Sequence, residues 1–447
     1  MNLHSHSISS LQGVLTVPGD KSISHRAAIL GGLAQGVTEV DNFLCSEDCL
    51  NTLRAMEQLG AKVDVLEERQ GYGPVRFRIT GVAMSPTAPE RPIDCGKSGT
   101  GMRLLAGMLA ACPFDSEMFG DASLSSRPMG RIMQPLEQMG ARIEARGTKP
   151  GCAPLSIHGG RVHPISYALP MASAQVKSAI LLAGMFADGT TTVRQTSAPR
   201  DHTERLFRHF GVPCTVDGLT VGTCGPALPV AHNLTVPADI SSAAFWMVAA
   251  ASRPGSRLTL HQVGLNKTRN AVISALQRMG ARMDIVPTSP EDAGEPYGDI
   301  TVYGSDSLHG TSLLPEALTN LIDAMHHQAV AGAQGRGDFI VRNAREVRVK
   351  DTDRIATTAA NLRLIGVDVE EFDDGMVVHG GTPLKGTELS SYGDHRIAMS
   401  FLVAGLSAQG ETVVTDAECI NTSYPGIQRE QAQIREKTQK SGRHSQR

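Results

Sequence analysis

Apolar stretches recur along the chain at similar intervals, and each follows a short turn rich in Ser, Gly, Pro and Asp. Each stretch is long enough for an α-helix and closes on a turn of small residues, so the pattern predicts one helix per copy. Six copies occur, and their closing residues are 77, 76, 66, 82 and 73 positions apart. A repeat this regular predicts an architecture of six similar units. The closing residues are Gly36, Pro113, Gly189, Gly255, Gly337 and Gly410.

A second pattern follows five of these helices, as in MEQLGAKVDV and LEQMGARIEA. Apolar residues at helical spacing stop at a glycine, and a strand-like alternation begins. This predicts a helix that ends at a left-handed glycine and continues directly into a strand. With short strands at 75–80, 190–196 and 299–304, each unit reads as helix, strand, helix, strand, strand. Units of roughly 60–80 residues are too long for common solenoid repeats and fit a small α/β unit.

Length and composition narrow the class of protein. A chain of 447 residues exceeds what one core usually organises, so two domains of three units each are expected, with a boundary near 231–238. The formal charge of −3 argues against a broad surface for nucleic acid or anionic membrane. Eight cysteines without CxxC or zinc spacing predict reduced thiols. Neither a secretory signal nor an apolar run of membrane length is visible, which predicts a soluble protein.

Candidate chemistry is concentrated at the predicted helix starts. In GDKSISHR, a Pro-Gly turn leads to Lys21 and Ser22, and Arg26 follows one turn later. Two cations, a hydroxyl and the amides of a helix start form a site for phosphate or carboxylate. A capped helix with solvated charges is the alternative. The fourth copy, VPADISSAAFWM, has no cation at its start and is expected to be structural.

Three further motifs lie in corresponding turns. GKSGTGMR (96–103) has the composition of a phosphate loop without its order, so a plain turn-to-helix junction stays open. SSRPMGR (125–131) contains Arg127, whose guanidinium suits bidentate binding of carboxylate or phosphate. MASAQ (171–175) offers a hydroxyl and an amide, although capping explains Ser173 equally well.

Two late motifs, RVKDTDR (348–354) and YGDHR (392–396), mix acids and bases, and surface ion pairing is the alternative explanation for each. Neither has the spacing of a Ser-His-Asp triad or of a metal site. In a nearly neutral protein, however, six cationic or hydroxylic motifs at corresponding points of repeats favour a built anion site.

Five segments in chain order resemble a known family: PGDKSISHRA, GKSGTGMRLLAG, GDASLSSRPMGRI, RVKDTDRI and SYGDHRIAM. From about residue 12 to 430, the chain resembles the EPSP synthases, the 3-phosphoshikimate 1-carboxyvinyltransferases among the enolpyruvyl transferases. The run RDHTE (200–204) is similar to the bacterial class II subgroup. The resemblance implies an α/β protein, a two-domain inverse α/β barrel of six βαβαββ units, three per domain. The implied domains are 1–19 with 238–432, and 20–237. The last stretch, polar and charged over 435–447, predicts a disordered tail at 433–447.

The resemblance also implies a reaction. The enolpyruvyl group of phosphoenolpyruvate is transferred to the 5-hydroxyl of shikimate 3-phosphate, and phosphate is released, by addition and elimination in a closed cleft between the domains. It implies no cofactor, metal, nucleic acid or membrane partner, and a monomer in the cytoplasm. It assigns shikimate 3-phosphate to Lys21, Ser22, Arg26, Ser173, Gln175, Arg200, Asp323 and Lys350. It assigns phosphoenolpyruvate to Lys21, Gly99, Arg127, Gln175, Arg354 and Arg396. The implied catalytic residues are Lys21, Asp323 as the base near the 5-hydroxyl, and Asp351 as proton donor and acceptor at the methylene carbon.

The chain departs from the family pattern at three positions. Lys97 replaces a usual Asn, Asp351 replaces a frequent Glu, and Thr422 stands where some members have Lys. The nearest alternative is the UDP-N-acetylglucosamine enolpyruvyl transferase, which shares the fold and the donor. That family has a reactive Cys shortly before the Arg-Pro loop, and GDASLS (120–125) contains none. A non-enzymatic repeat scaffold or a nucleic-acid binder would need a broad basic face, which the charge of −3 disfavours.

Overall fold

A computed structural model describes residues 1–197, 199–290, 293–313, 321 and 324–444, with side chains as far as 438. Each of the six predicted repeat helices is present, and in the first five repeats a second helix follows it. Short 3-10 turns lie at Leu124–Ser126, Arg345–Val349 and Ala417–Thr422. The α-helices of the described residues are α1 (Lys21–Leu33), α2 (Glu47–Gln58), α3 (Gly99–Ala110), α4 (Gly130–Gln138), α5 (Ala174–Gly184), α6 (His202–His209), α7 (Ile240–Ala251), α8 (Ala271–Arg278), α9 (Met325–Gln334), α10 (Arg354–Leu364), α11 (His395–Gly405) and α12 (Ile427–His444).

The strands of the described residues form six sheets. They are β1 (Leu3–His6), β2 (Gln12–Leu15), β3 (Val37–Asp41), β4 (Lys62–Arg69), β5 (Gly73–Thr80), β6 (Ile93–Asp94), β7 (Asp115–Phe119), β8 (Arg142–Ala145), β9 (Leu155–His158), β10 (Ser166–Ala168), β11 (Gly189–Arg194), β12 (Cys214–Asp217), β13 (Thr220–Gly225), β14 (Leu234–Thr235), β15 (Arg257–Gly264), β16 (Arg282–Pro287), β17 (Tyr297–Tyr303), β18 (Gly337–Val341), β19 (Asp368–Phe372), β20 (Gly375–Gly380), β21 (Glu388–Ser390) and β22 (Glu411–Thr415). The strand orders are β14-β3-β5-β4, β6-β7-β9-β8, β10-β11-β13-β12, β16-β17-β15-β2, β18-β20-β19 and β1-β22-β21.

The sheets share a topology that reflects the repeat. In each four-stranded sheet, the strand after the first helix of the repeat pairs antiparallel with the last strand of that repeat. The same strand also pairs in parallel with an edge strand that does not belong to the helix, strand, helix, strand, strand order of its repeat. The order helix, strand, helix, strand, strand, which the sequence predicts, is found in the first five repeats.

The predicted glycine caps are confirmed. After five second helices, a glycine takes a positive φ, a left-handed conformation that costs glycine little because it has no Cβ. A strand begins within three residues of each. The glycines and their φ angles are Gly60 (104°), Gly140 (105°), Gly211 (72°), Gly280 (91°) and Gly366 (97°).

The chain divides into two compact units, each with its own hydrophobic core. The first unit comprises Met1–Pro18, Ala238–Ser289 and Pro296–Arg447, and the second comprises Gly19–Pro237 and Pro290–Glu295. In each unit the core is built around the first helices of its repeats, which are buried along most of their length.

Small residues allow these core helices to pack closely. In the second unit α3 packs against α5, and a Cβ added at Gly107 would lie 2.2 Å from the Ala179 carbonyl oxygen. A larger residue than glycine would therefore separate the two helices. Within the described ranges, no helix is both long and apolar enough to cross a membrane.

The end of the chain differs from its prediction. The sequence predicts disorder over 433–447, whereas α12 extends to His444. Ile427 and Ile434 are seven residues apart on one face of this helix and are both buried in the first unit. The Lys437 ammonium group also donates to the Val14 carbonyl at 2.9 Å. Most residues of α12 are polar, so composition alone did not reveal the narrow apolar stripe formed by Ile427 and Ile434.

Candidate active site

The first candidate site begins where α1 starts in the second unit. Asp20 caps the helix, since its carboxylate accepts a hydrogen bond from the Ile23 amide at 2.9 Å. Lys21 and Ser22 are the first two helical residues, and both are half-buried. The Lys21 ammonium group contacts the buried carboxylate of Asp48. The predicted cation and hydroxyl thus stand at a helix start, where the helix dipole favours an anion.

Arg26 lies one turn further along α1 and is almost fully buried. Its Nε donates to Thr203 Oγ1 at 2.7 Å, and Nη2 donates to Ser178 Oγ at 2.8 Å. Nη1 donates to the Ser22 carbonyl at 2.9 Å. Burial lowers the pKa of Arg26 to about 10. Arg26 therefore holds α1 against α5 and α6 and fixes the backbone of Ser22.

Gly99 occupies the first position of α3, behind the capping residue Ser98. The Ser98 hydroxyl accepts a hydrogen bond from the Gly101 amide at 2.9 Å. A Cβ added at Gly99 would lie 2.9 Å from Arg103 Nη1 and 3.5 Å from Arg127 Nη1. Two guanidinium groups thus approach the backbone of Gly99 from different parts of the sequence.

Arg103 was missed by reasoning from the sequence. Its Nη1 donates to Gln175 Oε1 at 2.6 Å, and Gln175 Nε2 donates to Thr100 Oγ1 at 2.7 Å. Burial lowers the pKa of Arg103 to about 10, and the positive charges of Arg127 and Arg131 contribute to this shift. A spacing of four residues places Arg103 on the same face of α3 as Gly99, and that was the available signal.

The start of α5 combines a cap with a buried cation. Ser173 Oγ accepts a hydrogen bond from the Val176 amide at 3.3 Å, so Ser173 caps α5. Lys177, which received no role from the sequence, is fully buried. Its ammonium group donates to the Arg200 carbonyl at 2.9 Å and contacts the carboxylate of Glu204. The segment that carries Arg200 is therefore held from inside the second unit.

In the first unit, Arg354 begins α10 and is 3% exposed. Its Nε donates to Asp394 Oδ2 at 2.6 Å, and Nη2 lies 3.4 Å from Asp394 Oδ1. The same Nη2 donates to Asp351 Oδ2 at 3.3 Å. Asp394 is fully buried, so this pair is a charge-assisted contact inside the protein and not the surface ion pair of the alternative explanation.

The other predicted residues of the first unit differ in placement. Arg396 is the second residue of α11, and its amide donates to the capping carboxylate of Asp394 at 2.8 Å, which joins it to the Arg354 pair. Lys350 follows a 3-10 turn and is exposed. Asp323 lies outside the described residues.

Asp351, Asp394 and His395 each place one potential metal-ligand atom within 4.8 Å of the others. His395 Nδ1 is 3.6 Å from Asp351 Oδ2. Because the Arg354 guanidinium pairs with both carboxylates, it supplies the positive charge that a cation would otherwise bring. These three residues and Arg354 therefore form one cluster of charged and ionisable side chains at the starts of α10 and α11.

Comparison with known proteins identifies the class. A family model described as EPSP synthase (3-phosphoshikimate 1-carboxyvinyltransferase) matches residues 6–430. The chain is 94% identical over 434 residues to a 3-phosphoshikimate 1-carboxyvinyltransferase of Akkermansia muciniphila, which covers 97% of this chain and 100% of the relative. A relative of the same name from Desulforamulus reducens is 44% identical over 96% of this chain and 98% of its own. A solved EPSP synthase from Acinetobacter baumannii is 41% identical, with a TM-score of 0.87 over 95% of this chain and 96% of that one.

The chain therefore belongs to the EPSP synthase family of enolpyruvyl transferases. It is an enzyme that transfers the enolpyruvyl group of phosphoenolpyruvate to shikimate 3-phosphate, as the sequence predicts. The alternative acceptor, UDP-N-acetylglucosamine, is not favoured. The α/β class is confirmed by the structural match.

Proposed function

We propose that the residues predicted from the sequence bind the two substrates and carry the transfer between them. Shikimate 3-phosphate is held by Lys21, Ser22, Arg26, Ser173, Gln175, Arg200, Asp323 and Lys350. Phosphoenolpyruvate is held by Lys21, Gly99, Arg127, Gln175, Arg354 and Arg396. The proposal is supported by the placement of six of these residues in the first turn of a helix, where backbone amides and the helix dipole favour anions.

The observation that carries the proposal is the environment of Gly99. The guanidinium groups of Arg103 and Arg127 both approach this residue. Gln175 is hydrogen-bonded to Arg103 beside them. A small ligand with a phosphate and a carboxylate needs cations close together and a backbone that leaves room for it. Phosphoenolpyruvate has this chemistry, and the missing side chain of Gly99 allows both guanidinium groups to come close to the helix start.

The proposed chemistry requires proton transfers at two atoms, the 5-oxygen of shikimate 3-phosphate and carbon 3 of phosphoenolpyruvate. In the addition step, the 5-oxygen of shikimate 3-phosphate bonds to carbon 2 of phosphoenolpyruvate while carbon 3 receives a proton, and the hydroxyl proton passes to a base. In the elimination step, carbon 3 returns a proton and the carbon–oxygen bond to phosphate breaks. We assign the hydroxyl proton to Asp323 and the carbon proton to Asp351, whose Oδ2 lies 3.3 Å from Arg354 Nη2. The cations, including Lys21, stabilise charge that develops on the departing phosphate.

The test is phosphate release from phosphoenolpyruvate with each of two acceptors, shikimate 3-phosphate and UDP-N-acetylglucosamine. Release with the first acceptor alone is expected. Release with only the second, or equal release without any acceptor, would overturn the assignment of the acceptor. Asp351→Asn is expected to slow the exchange of the methylene protons of phosphoenolpyruvate with solvent deuterium, and unchanged exchange would remove Asp351 from the proton transfer.

Some wider features belong to the same proposal. We propose the inverse α/β barrel with three βαβαββ units in each of the domains 1–19 with 238–432 and 20–237. The six sheets of the described residues support this arrangement. We also propose a monomer in the cytoplasm, because one chain supplies all the assigned ligands and both substrates are phosphorylated metabolites. Light scattering on the purified protein tests the monomer.

A further inference from the structure

The segment that leads into α6 rests on a buried ammonium group. Lys177 lies on α5 with its side chain 0% exposed. Its Nζ donates to the carbonyl of Arg200 at 2.9 Å, two residues before α6 begins. The same Nζ contacts Oε1 of Glu204, in the first turn of α6, and that side chain is 3% exposed. One cation therefore bridges the backbone before the helix and a carboxylate within it.

Stability alone does not account for this arrangement. Oε2 of Glu204 is buried and, within the described part of the chain, has no hydrogen-bond partner. Burial lowers the pKa of Lys177, although Glu204 acts in the opposite direction. A buried ion pair with an unsatisfied oxygen is often no more stable than two apolar side chains of similar size. What an apolar pair lacks is a donor for the carbonyl of Arg200.

Other contacts of this segment are made to side chains of α6. Arg26 binds the hydroxyl of Thr203 at 2.7 Å, and Nδ1 of His202 lies 2.6 Å from Oε1 of Glu295, both inside the second unit. These contacts fix the body of α6. The contact from Lys177 is made to the peptide group of Arg200 itself and so fixes the backbone from which that side chain extends.

We propose that Lys177 is a positioning residue for shikimate 3-phosphate: it holds the Arg200 backbone so that the guanidinium is presented to the substrate. The proposal rests on the binding role given to Arg200 above. Glu204 serves as the counter-ion that allows the ammonium group to be buried. A neutral amine still donates a hydrogen bond, so the positioning depends on the donor more than on the charge.

Three variants separate positioning from stability. Lys177→Met removes the donor and is expected to raise KM for shikimate 3-phosphate about tenfold, the effect of one hydrogen bond on binding, and to change KM for phosphoenolpyruvate less than about twofold. Glu204→Gln, the matched control, keeps the donor and is expected to leave both KM values near wild type. The double variant Lys177→Met with Glu204→Leu removes both charges and is expected to recover the Tm that Lys177→Met loses, while KM for shikimate 3-phosphate stays high.

Each other outcome overturns the proposal. Equal increases of both KM values indicate a structural role, and so does a double variant in which KM recovers together with Tm. An unchanged KM for shikimate 3-phosphate in the double variant contradicts the proposal even if Lys177→Met alone fails to fold. Arg200→Ala tests the binding role of Arg200 separately from the positioning role of Lys177. If Arg200→Ala leaves KM for shikimate 3-phosphate unchanged, the binding role of Arg200 is wrong. If Arg200→Ala raises this KM and the Lys177 variants do not, only the positioning role is wrong.

Discussion

Replacing Gly99 with alanine separates ligand binding from folding more sharply than any other single change at this site. The added Cβ would lie 2.9 Å from Arg103 Nη1, 3.5 Å from Arg127 Nη1 and 3.7 Å from Arg103 Cζ. The shortest of these distances is below van der Waals contact, so Arg103 has to move. Its Nη1 is also the donor to Gln175 Oε1 at 2.6 Å. Movement of Arg103 therefore also displaces Gln175, another proposed ligand of phosphoenolpyruvate.

The size of the effect follows from two opposing contributions. Overpacking by one methyl group costs about 1–3 kcal/mol, and this cost falls on phosphoenolpyruvate binding because the displaced Arg103 side chain holds Gln175, a proposed ligand. About 1.4 kcal/mol corresponds to a factor of ten, so KM for phosphoenolpyruvate is expected to rise by roughly 5- to 150-fold. Alanine in place of glycine in a helix stabilises it by up to about 1 kcal/mol, so the free energy of unfolding is expected to change little.

Gly130 provides a matched control. It is also the first residue of a helix, α4, and among the described residues no atom outside its chain neighbours and its own helix backbone lies within 4 Å of an added Cβ. Steady-state phosphate release gives KM for each substrate, and thermal unfolding gives Tm. Gly99→Ala is expected to raise KM for phosphoenolpyruvate with Tm nearly unchanged, and Gly130→Ala is expected to change neither. A normal KM in Gly99→Ala, or an equal rise in Gly130→Ala, would refute the steric reasoning.

Three further perturbations test other parts of the site. Arg127→Ala is expected to raise KM for phosphoenolpyruvate at least about tenfold with Tm unchanged, and loss of folding would give Arg127 a structural role. Asp394→Ala leaves Arg354 buried without the carboxylate of Asp394. Urea denaturation is therefore expected to show a loss of about 3–5 kcal/mol in the free energy of unfolding. A loss below about 1 kcal/mol would contradict this expectation. Burial holds the pKa of His25 well below its ordinary 6.5, and the positive charges of Lys21 and Arg26 lower it further. The unfolded chain therefore binds a proton that the folded protein excludes, and the free energy of unfolding falls as pH drops below about 6.5, by up to about 1.4 kcal/mol per pH unit. His25→Asn is expected to flatten this slope between about pH 6.5 and 5, and an unchanged slope assigns it to other groups.

The sequence predicted the features that depend on neighbouring residues. Each first helix, each glycine at the end of a second helix and each following strand is encoded within about 20 residues. The helix starts at Lys21 and Gly99 belong to the same class, because a cap and the residue after it are adjacent in the chain.

The missed residues act over long sequence separations. Arg103 reaches Gln175, 72 positions away, and Lys177 reaches Glu204, 27 positions away. An isolated Arg or Lys in an apolar helix shows neither its partner nor its burial, since both arise from packing against other helices. The prediction of a disordered tail was wrong as far as His444 for the same reason. The apolar stripe of α12 stabilises the helix only because it packs against a surface formed by distant parts of the chain.

The fourth repeat shows why capping and ligand binding are compatible at these helix starts. Asp239 caps α7 as Asp20 caps α1, by accepting a hydrogen bond from a helix-start amide. At α7, however, the guanidinium of Arg269 binds Asp239 at 3.3 Å and Ser241 Oγ at 2.8 Å, and it is buried there. The protein's own cation has satisfied the polar groups of that turn. At α1 the cap leaves the next residue, Lys21, partly exposed. The cap is therefore common to both helix starts, and the two differ in the cation beside it, which is enclosed by the protein at α7 and partly exposed at α1.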